Sequence, residues 1–268
     1  METKIGFIGT GNMGGALARA AAKAVNPECL YLANKTASKA RALATELGSN
    51  AVDVQFVAKN CQLIFLGVKP QMMEGLLTQL RPMLAARKDT VTLVSMAAGL
   101  TMGQIQTMAG AQYPVIRIMP NTPVAVGQGV VMYDVTENVP EEALQYFLDS
   151  MSAAGLVDRL PEKLIDAGSA VAGCGPAFAC LFLEALADGG VACGLPRAKA
   201  MEYAAQMLLG TAALAQQTGQ HPGQMKDAVC SPGGSTIAGV RALEQGSFRA
   251  AAMNAVEAAY HRTCQLGK

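Results

Sequence analysis

The chain has no tryptophan and only two histidines, His221 and His261, and just 15% of its 268 residues are charged. Its seven cysteines, at 29, 61, 174, 180, 193, 230 and 264, form no C-x-x-C pair. With so few ligands in no metal-binding spacing, neither a structural zinc site nor a disulfide framework is expected, and no metal. Buried, reduced thiols in a cytoplasmic protein are the expectation instead. Basic runs are missing too: Lys and Arg number 21 against 20 Asp and Glu, for a net charge of +1. Nucleic acid and acidic membrane surfaces are therefore poor partners. The N-terminal METKIGFIGTGNMGG lacks a cationic leader followed by an apolar core and a cleavage site. One stretch, Ala167–Leu183, carries no charge, but it is short for a membrane span, is broken by Gly175-Pro176 and lies between Asp166 and Glu184. It reads as a helix buried in protein.

What the chain has in plenty is apolar residues, 51% of the total. That suffices for a large core, with a surplus that could cover a subunit interface. The length suits two domains. In the first part, short apolar runs alternate with helical patterns. Strands are expected at 4–8, 29–33, 63–68, 90–95, 115–119, 129–133 and 157–159, with helices at 14–24, 38–47, 71–80, 101–108 and 140–153. Such alternation predicts an α/β fold with a doubly wound, mostly parallel sheet covered by helices on both faces. Beyond residue 160 no strand-like run recurs, and Ala/Leu/Met/Glu-rich segments are punctuated by Gly and Pro. Residues 1–160 are accordingly assigned to a nucleotide-binding domain and 161–268 to an all-helical one. Segments such as AAQMLLGTAALA are apolar around the whole helix, which needs burial on several sides. A homodimer through the helical domain is expected.

The first site candidate is G-x-G-x-x-G, placed directly after the first strand and opening the first helix. Gly9 permits a tight turn, Gly11 a close approach of the backbone to a pyrophosphate, and Gly14 close helix–strand packing. Helix N-terminal N–H groups and the dipole favour phosphate there, so Ile8, Gly9, Thr10, Gly11, Asn12, Met13 and Gly14 form the expected dinucleotide loop. After the second strand comes no acid for a ribose 2′-hydroxyl but Asn34, Lys35 and Thr36. A cation with hydrogen-bonding neighbours suits a 2′-phosphate, so Asn34 and Lys35 point to NADPH over NADH. Two further segments follow strands and should line the crevice: Val68, Lys69 and Pro70, and Met96, Ala97 and Ala98. Asn121, in MPNTP, either faces a nicotinamide or serves as an ordinary turn residue.

The second candidate is CSPGGSTIAG, residues 230–239. A helix starting near Ser235 would present N–H groups of Gly234, Ser235 and Thr236 to a carboxylate, and Gly233 and Gly234 would not obstruct it. The competing reading is plain capping by Ser231 or Ser235. Cys174, Cys180 and Cys230 read as packed thiols and His221 as a turn residue.

Taken together, GFIGTGNMG, FLGVKPQ, SMAAG, IRIMPNTPVAVGQG (116–129), AGCGPAFACLFLEALADGGVACGLPR (172–197), HPGQMKD (221–227) and SPGGSTIAGVRALEQGSFR (231–249) resemble the pyrroline-5-carboxylate reductase family over nearly the whole chain. The resemblance implies a Rossmann-type domain followed by a helical dimerisation domain, with dimers that in the family assemble further. It implies reduction of 1-pyrroline-5-carboxylate to L-proline, the last step of proline biosynthesis, with NADPH or NADH. It further implies that the Thr236 hydroxyl bonds the ring nitrogen as the catalytic group, that backbone around Gly233, Gly234, Ser235 and Thr236 holds the carboxylate, and that Glu162 contacts the substrate. Alternatives are a β-hydroxyacid dehydrogenase-like NADP enzyme, whose helical lysine is lacking over Asp166–Phe182, and a non-catalytic NADP-binding sensor.

Overall fold

The computed structural model describes residues 3–266. The sheet unit begins with strand β1 (Ile5–Ile8), helix α1 (Asn12–Ala24), β2 (Leu30–Ala33), α2 (Ala37–Leu47), β3 (Asn50–Ala51), α3 (Val54–Asn60) and β4 (Leu63–Leu66). It continues with α4 (Pro70–Ala85), β5 (Thr92–Ser95), α5 (Met102–Ala109), β6 (Val115–Pro120), β7 (Gly129–Val135), α6 (Glu141–Met151) and β8 (Gly155–Arg159). The eight strands order as β3-β2-β1-β4-β5-β6-β7-β8, all parallel except the β6–β7 pair. Every residue of β1, IGFI, and of β4, LIFL, is buried, as parallel strands covered on both faces require.

Two apolar layers do the covering. On one face Phe7, Leu17, Phe65 and Phe147 pack together, the Phe7 and Phe65 rings stacking at 4.4 Å between centroids. On the other, Ile64, Leu66, Leu77 and Ile105 are completely buried. Local rules fix many boundaries. Helix α5 opens with a reciprocal capping box between Thr101 and Gln104 and closes at Gly110, φ 81°. Helix α4 runs past its expected end at residue 80, through Pro82 to Ala85. Its buried Met73, Leu77, Leu80 and Leu84 keep one apolar face across the proline, and that packing outweighs the lost backbone bond. Strand β3 and helix α3 were not expected. The former has two residues and the latter is a seven-residue helix started by Asp53, whose carboxylate accepts from the Phe56 N–H at 2.6 Å.

Strand order runs outward from β1 through β2 to β3, then resumes on the other side with β4. This reversal is the switch point at which ligands of open α/β sheets bind, at the carboxyl ends of the strands.

Among the described residues Arg159 is the last in a strand, and the elements after it are helical: α7 (Glu162–Gly168), a π-helical turn (Ser169–Gly173), α8 (Gly175–Ala192), α9 (Arg197–Thr218), α10 (Pro222–Ala228), α11 (Ser235–Gln245) and α12 (Phe248–Leu266). By compactness the chain divides elsewhere than at residue 160. One unit runs to Cys174 and includes the chain again from Ala259; the other is Gly175–Ala258. The reason is that α7 packs its Ile165 on Met119 and Met132 of the sheet unit.

The helical unit departs from expectation in its burial. Glu162–Ala192 is long and apolar enough to cross a membrane, with mean hydropathy 1.7 over its most apolar window, yet only 11% of that window is buried. Leu181 is 67% exposed, Leu209 59% and Met253 63%. A unit of this size cannot wrap helices that are apolar all round. The cysteines differ as well: Cys61 is fully buried, whereas Cys180 and Cys193 are exposed.

Candidate active site

The Gly9–Gly14 loop leaves β1 at the switch point. Gly9 adopts φ 98°, and its N–H donates to the Ala33 carbonyl at 2.8 Å, tying the turn to the end of β2. A methyl group on Gly14 or on Gly67 would run into the Gly9 carbonyl oxygen, so three backbone segments meet there only because all three residues are glycine. Gly11 differs: a Cβ built on it finds nothing within 4 Å. It is the N-cap of α1, and no side chain caps that helix. The first-turn N–H groups of α1 are thus without a side-chain cap at the positive end of a 13-residue helix. Thr10 adds a buried hydroxyl without a hydrogen-bond partner. These features fit a pyrophosphate. Asn12 is exposed and Met13 half-buried, but Ile8 is buried in the core and its carbonyl accepts from the Gly67 N–H at 2.7 Å.

At the end of β2, Asn34 is half-buried while Lys35 and Thr36 are exposed. Thr36 is the N-cap of α2 but makes no side-chain cap bond, and the first turn of α2 holds no acid. A second open helix start, flanked by a lysine without an ion pair among the described residues, is the arrangement that a further phosphate would need. Lys69 caps α4 with its backbone only, Pro70 follows at the first helical position, and Val68 is half-buried beside them. In the loop after β5, Met96 and Ala98 are half-buried, whereas Ala97 is 2% exposed and turned into the core; only its backbone can border the crevice.

Asn121 and Glu162 both bond distant segments of the sheet unit. Asn121 is 7% exposed; its Oδ1 accepts from the Val130 N–H at 2.8 Å and its Nδ2 donates to the Ala172 carbonyl at 3.0 Å. These bonds are those that a structural turn residue makes. The Glu162 carboxylate accepts from the Met102 N–H, capping α5, at 2.7 Å and from Arg117 at 3.4 Å. Its own N–H donates to Asp134 at 2.7 Å. Arg117 is buried, and it also donates to Asp166 at 2.6 Å. Arg117, Asp134 and Asp166 were not singled out by sequence reasoning. The readable signal was an arginine in the middle of an otherwise apolar strand, IRIM, since a buried cation demands acids nearby.

In the helical unit, α11 begins at Ser235 with Gly234 as N-cap and no side-chain cap bond. The capping reading of Ser231 and Ser235 therefore does not hold. Gly234 is not a free donor either: its N–H bonds the Ser231 carbonyl at 3.0 Å. The first bond of the helix itself is from Ala238 to Gly234, at 3.3 Å, so the N–H groups of Ser235, Thr236 and Ile237 precede it. Gly233 adopts φ 67°, which a non-glycine residue would resist. A groove of about 570 Å³ runs from Gly233 and Gly234 along Ile237 and Ala238 to Arg241 and Gln245. Arg241 was not anticipated either. His221 caps α10, its Nδ1 accepting from the Gly223 N–H at 3.1 Å, as a turn residue would.

Residues 162–266 match the family described as pyrroline-5-carboxylate reductase dimerisation, and residues 4–99 match NADP oxidoreductase coenzyme F420-dependent. The pyrroline-5-carboxylate reductase of Arabidopsis thaliana is 40% identical over 99% of this chain and 96% of its own length. That of Synechocystis is 41% identical, with all of both chains covered. Among solved structures, the Plasmodium falciparum pyrroline carboxylate reductase with NADP bound superposes with a TM-score of 0.87 at 33% identity, covering 100% of this chain and 99% of that one.

Proposed function

The chain belongs to the pyrroline-5-carboxylate reductase family, and on that premise we propose how its residues perform the reaction. It is an NADP-dependent oxidoreductase that reduces 1-pyrroline-5-carboxylate to L-proline, NADPH supplying the hydride.

The N–H groups at the start of α1 hold the pyrophosphate, which approaches over Gly11, where a side chain would stand in its way. Asn34, Lys35 and Thr36 with the open start of α2 take the 2′-phosphate, so NADPH is preferred to NADH. The backbone of Val68–Pro70 and of Met96–Ala98 borders the rest of the cofactor.

The substrate is a cyclic imine bearing a carboxylate. Ser235 and Thr236 present their N–H groups to that carboxylate, and Gly233 and Gly234 leave its path clear. The Thr236 hydroxyl bonds the ring nitrogen. As hydride reaches the imine carbon, the C=N electron pair moves to nitrogen, which must carry a proton. An imine protonated in solution brings its own, so Thr236 needs only to orient the nitrogen, and acceleration comes chiefly from alignment of the reacting carbons at roughly 3–3.5 Å. Glu162 serves the scaffold. The uncapped start of α11, entered through Gly233 and Gly234 and opening on a groove, is the observation that carries this assignment.

The protein functions as a homodimer, and the apolar residues exposed on its helical unit, Leu181, Leu209 and Met253 among them, are what a second copy would cover. Its place of action is the cytoplasm. The decisive experiment is NADPH oxidation with and without 1-pyrroline-5-carboxylate, repeated with NADH. Substrate-dependent oxidation, faster with NADPH, is expected. Turnover of a hydroxyacid but not of the imine would refute the reading, and NADPH binding without any turnover would leave a sensor.

A further inference from the structure

Residues 117, 119 and 121 lie at alternate positions along β6 and its extension, and so share one face. Each meets the segment that follows β8. Arg117 bonds Glu162 and Asp166, Met119 packs with Ile165, and Asn121 donates to the Ala172 carbonyl at 3.0 Å. The last contact has a specific cause. In an α-helix the Ala172 carbonyl would accept from the N–H four residues on, and that residue is Pro176, which has none. The chain also winds as a π turn here, with the Cys174 N–H bonding the Ser169 carbonyl at 2.9 Å. Asn121 supplies the donor that Pro176 cannot. The compact sheet unit ends two residues past Ala172, at Cys174.

We infer that Asn121 is a positioning residue: by holding Ala172 it fixes the π turn through which the chain passes into the helical unit, and thereby sets the rate of hydride transfer without touching cofactor or substrate. The inference rests on the reductase activity proposed above. Fixed geometry matters because a misplacement of about 1 Å between reacting groups costs about 100-fold in rate.

The test uses the full-length protein. Asn121→Asp keeps the acceptor for Val130 and removes the donor to Ala172. Asn121→Ala is prepared both alone and with Pro176→Ala, which returns an N–H to the carbonyl. Single-turnover hydride transfer and NADPH affinity are measured for each. The expected result is a loss of about tenfold to 100-fold in the single-turnover rate, with the dissociation constant for NADPH unchanged. Pro176→Ala should restore much of the rate lost by Asn121→Ala, which covers the case in which Asn121→Asp fails to fold. A variant rate equal to wild type, a weakening of NADPH binding that matches the loss of rate, or no rescue by Pro176→Ala overturns the inference. A wild-type protein that does not turn over the imine removes instead the activity on which it depends.

Discussion

Gly11 and Gly14 occupy one motif for opposite reasons, and replacing each by alanine separates the reasons. At Gly14 the added methyl meets the Gly9 carbonyl oxygen well inside van der Waals contact, and because that atom is backbone it cannot swing away. Overpacking of this kind costs about 1–3 kcal/mol. Helix propensity returns about 1 kcal/mol when glycine becomes alanine, so a net loss of up to about 2 kcal/mol remains. In a chain of this size that is a fall of up to about 8 °C in Tm. At Gly11 the methyl meets nothing within 4 Å, and φ is −73°, which alanine accepts. Gly11→Ala should therefore fold with a loss of no more than about 1 kcal/mol, since alanine is a poorer N-cap than glycine but leaves a less flexible unfolded chain.

The order of damage reverses for nucleotide binding. In the binding mode proposed above, the pyrophosphate comes close to the backbone through the open volume over Gly11, and a methyl there would displace it from at least one N–H. A hydrogen bond to a charged group contributes about 1.5–3 kcal/mol, or about ten- to 100-fold in affinity. The assay pairs thermal unfolding without ligand with NADPH titration by fluorescence. Gly11→Ala with a Tm within about 4 °C of wild type and weakened NADPH binding is the expected result. Wild-type affinity in that variant would show that the loop is a packing turn and not the phosphate site.

Thr236→Ala should bind NADPH normally and lose about ten- to 100-fold in kcat, the weight of one hydrogen bond to a charged group; unchanged kcat/KM for the imine would remove Thr236 from the chemistry. Asp89 is held down to about 2 by hydrogen bonds from Arg87 and then from Gln62. Its side chain is half exposed, so screening leaves about 1 kcal/mol of stability, present above the ordinary carboxylate pKa near 4 and lost as pH falls towards 2. Asp89→Asn should lower the urea midpoint at pH 7 and converge with wild type near pH 2. Burial pushes the Cys61 thiol up to about 12. The unfolded thiol ionises near about 8.5, so stability is full below that pH and declines by up to about 1.4 kcal/mol per pH unit above it. Denaturant midpoints between pH 8 and 11 should fall less steeply in Cys61→Ala.

Most of the sheet was readable because its determinants are local. Short buried runs such as IGFI and LIFL, each followed by a glycine or proline turn and a periodic apolar helix, identify strands without knowledge of their neighbours. The two-residue β3 offers no such pattern; it exists because Tyr31 and Leu32 give it a partner to pair with. Helix α4 overran its expected end for a similar reason, since Leu84 is held by the core and not by local propensity. The glycine-rich loops behave like the strands. Their shape follows from positive φ at Gly9 and Gly233, which the residue type itself permits.

Asn121 and Glu162 show where local reading ends. Both are polar, both sit beside turns, and both were credible ligand contacts on sequence grounds. Their actual partners lie 51 residues away at Ala172 and 60 residues away at Met102. Polar side chains at a strand end or helix start are rarely idle when buried, but whether they serve a ligand or an orphaned backbone group depends on what the fold brings to them. For Asn121 the deciding residue was Pro176, whose missing N–H creates the vacancy that the amide fills. A proline that follows an unbroken apolar stretch therefore asks a question of the rest of the chain: which distant donor answers the carbonyl four residues before it. Here the answer gives a scaffold contact to a residue that the sequence left open between the nicotinamide and an ordinary turn.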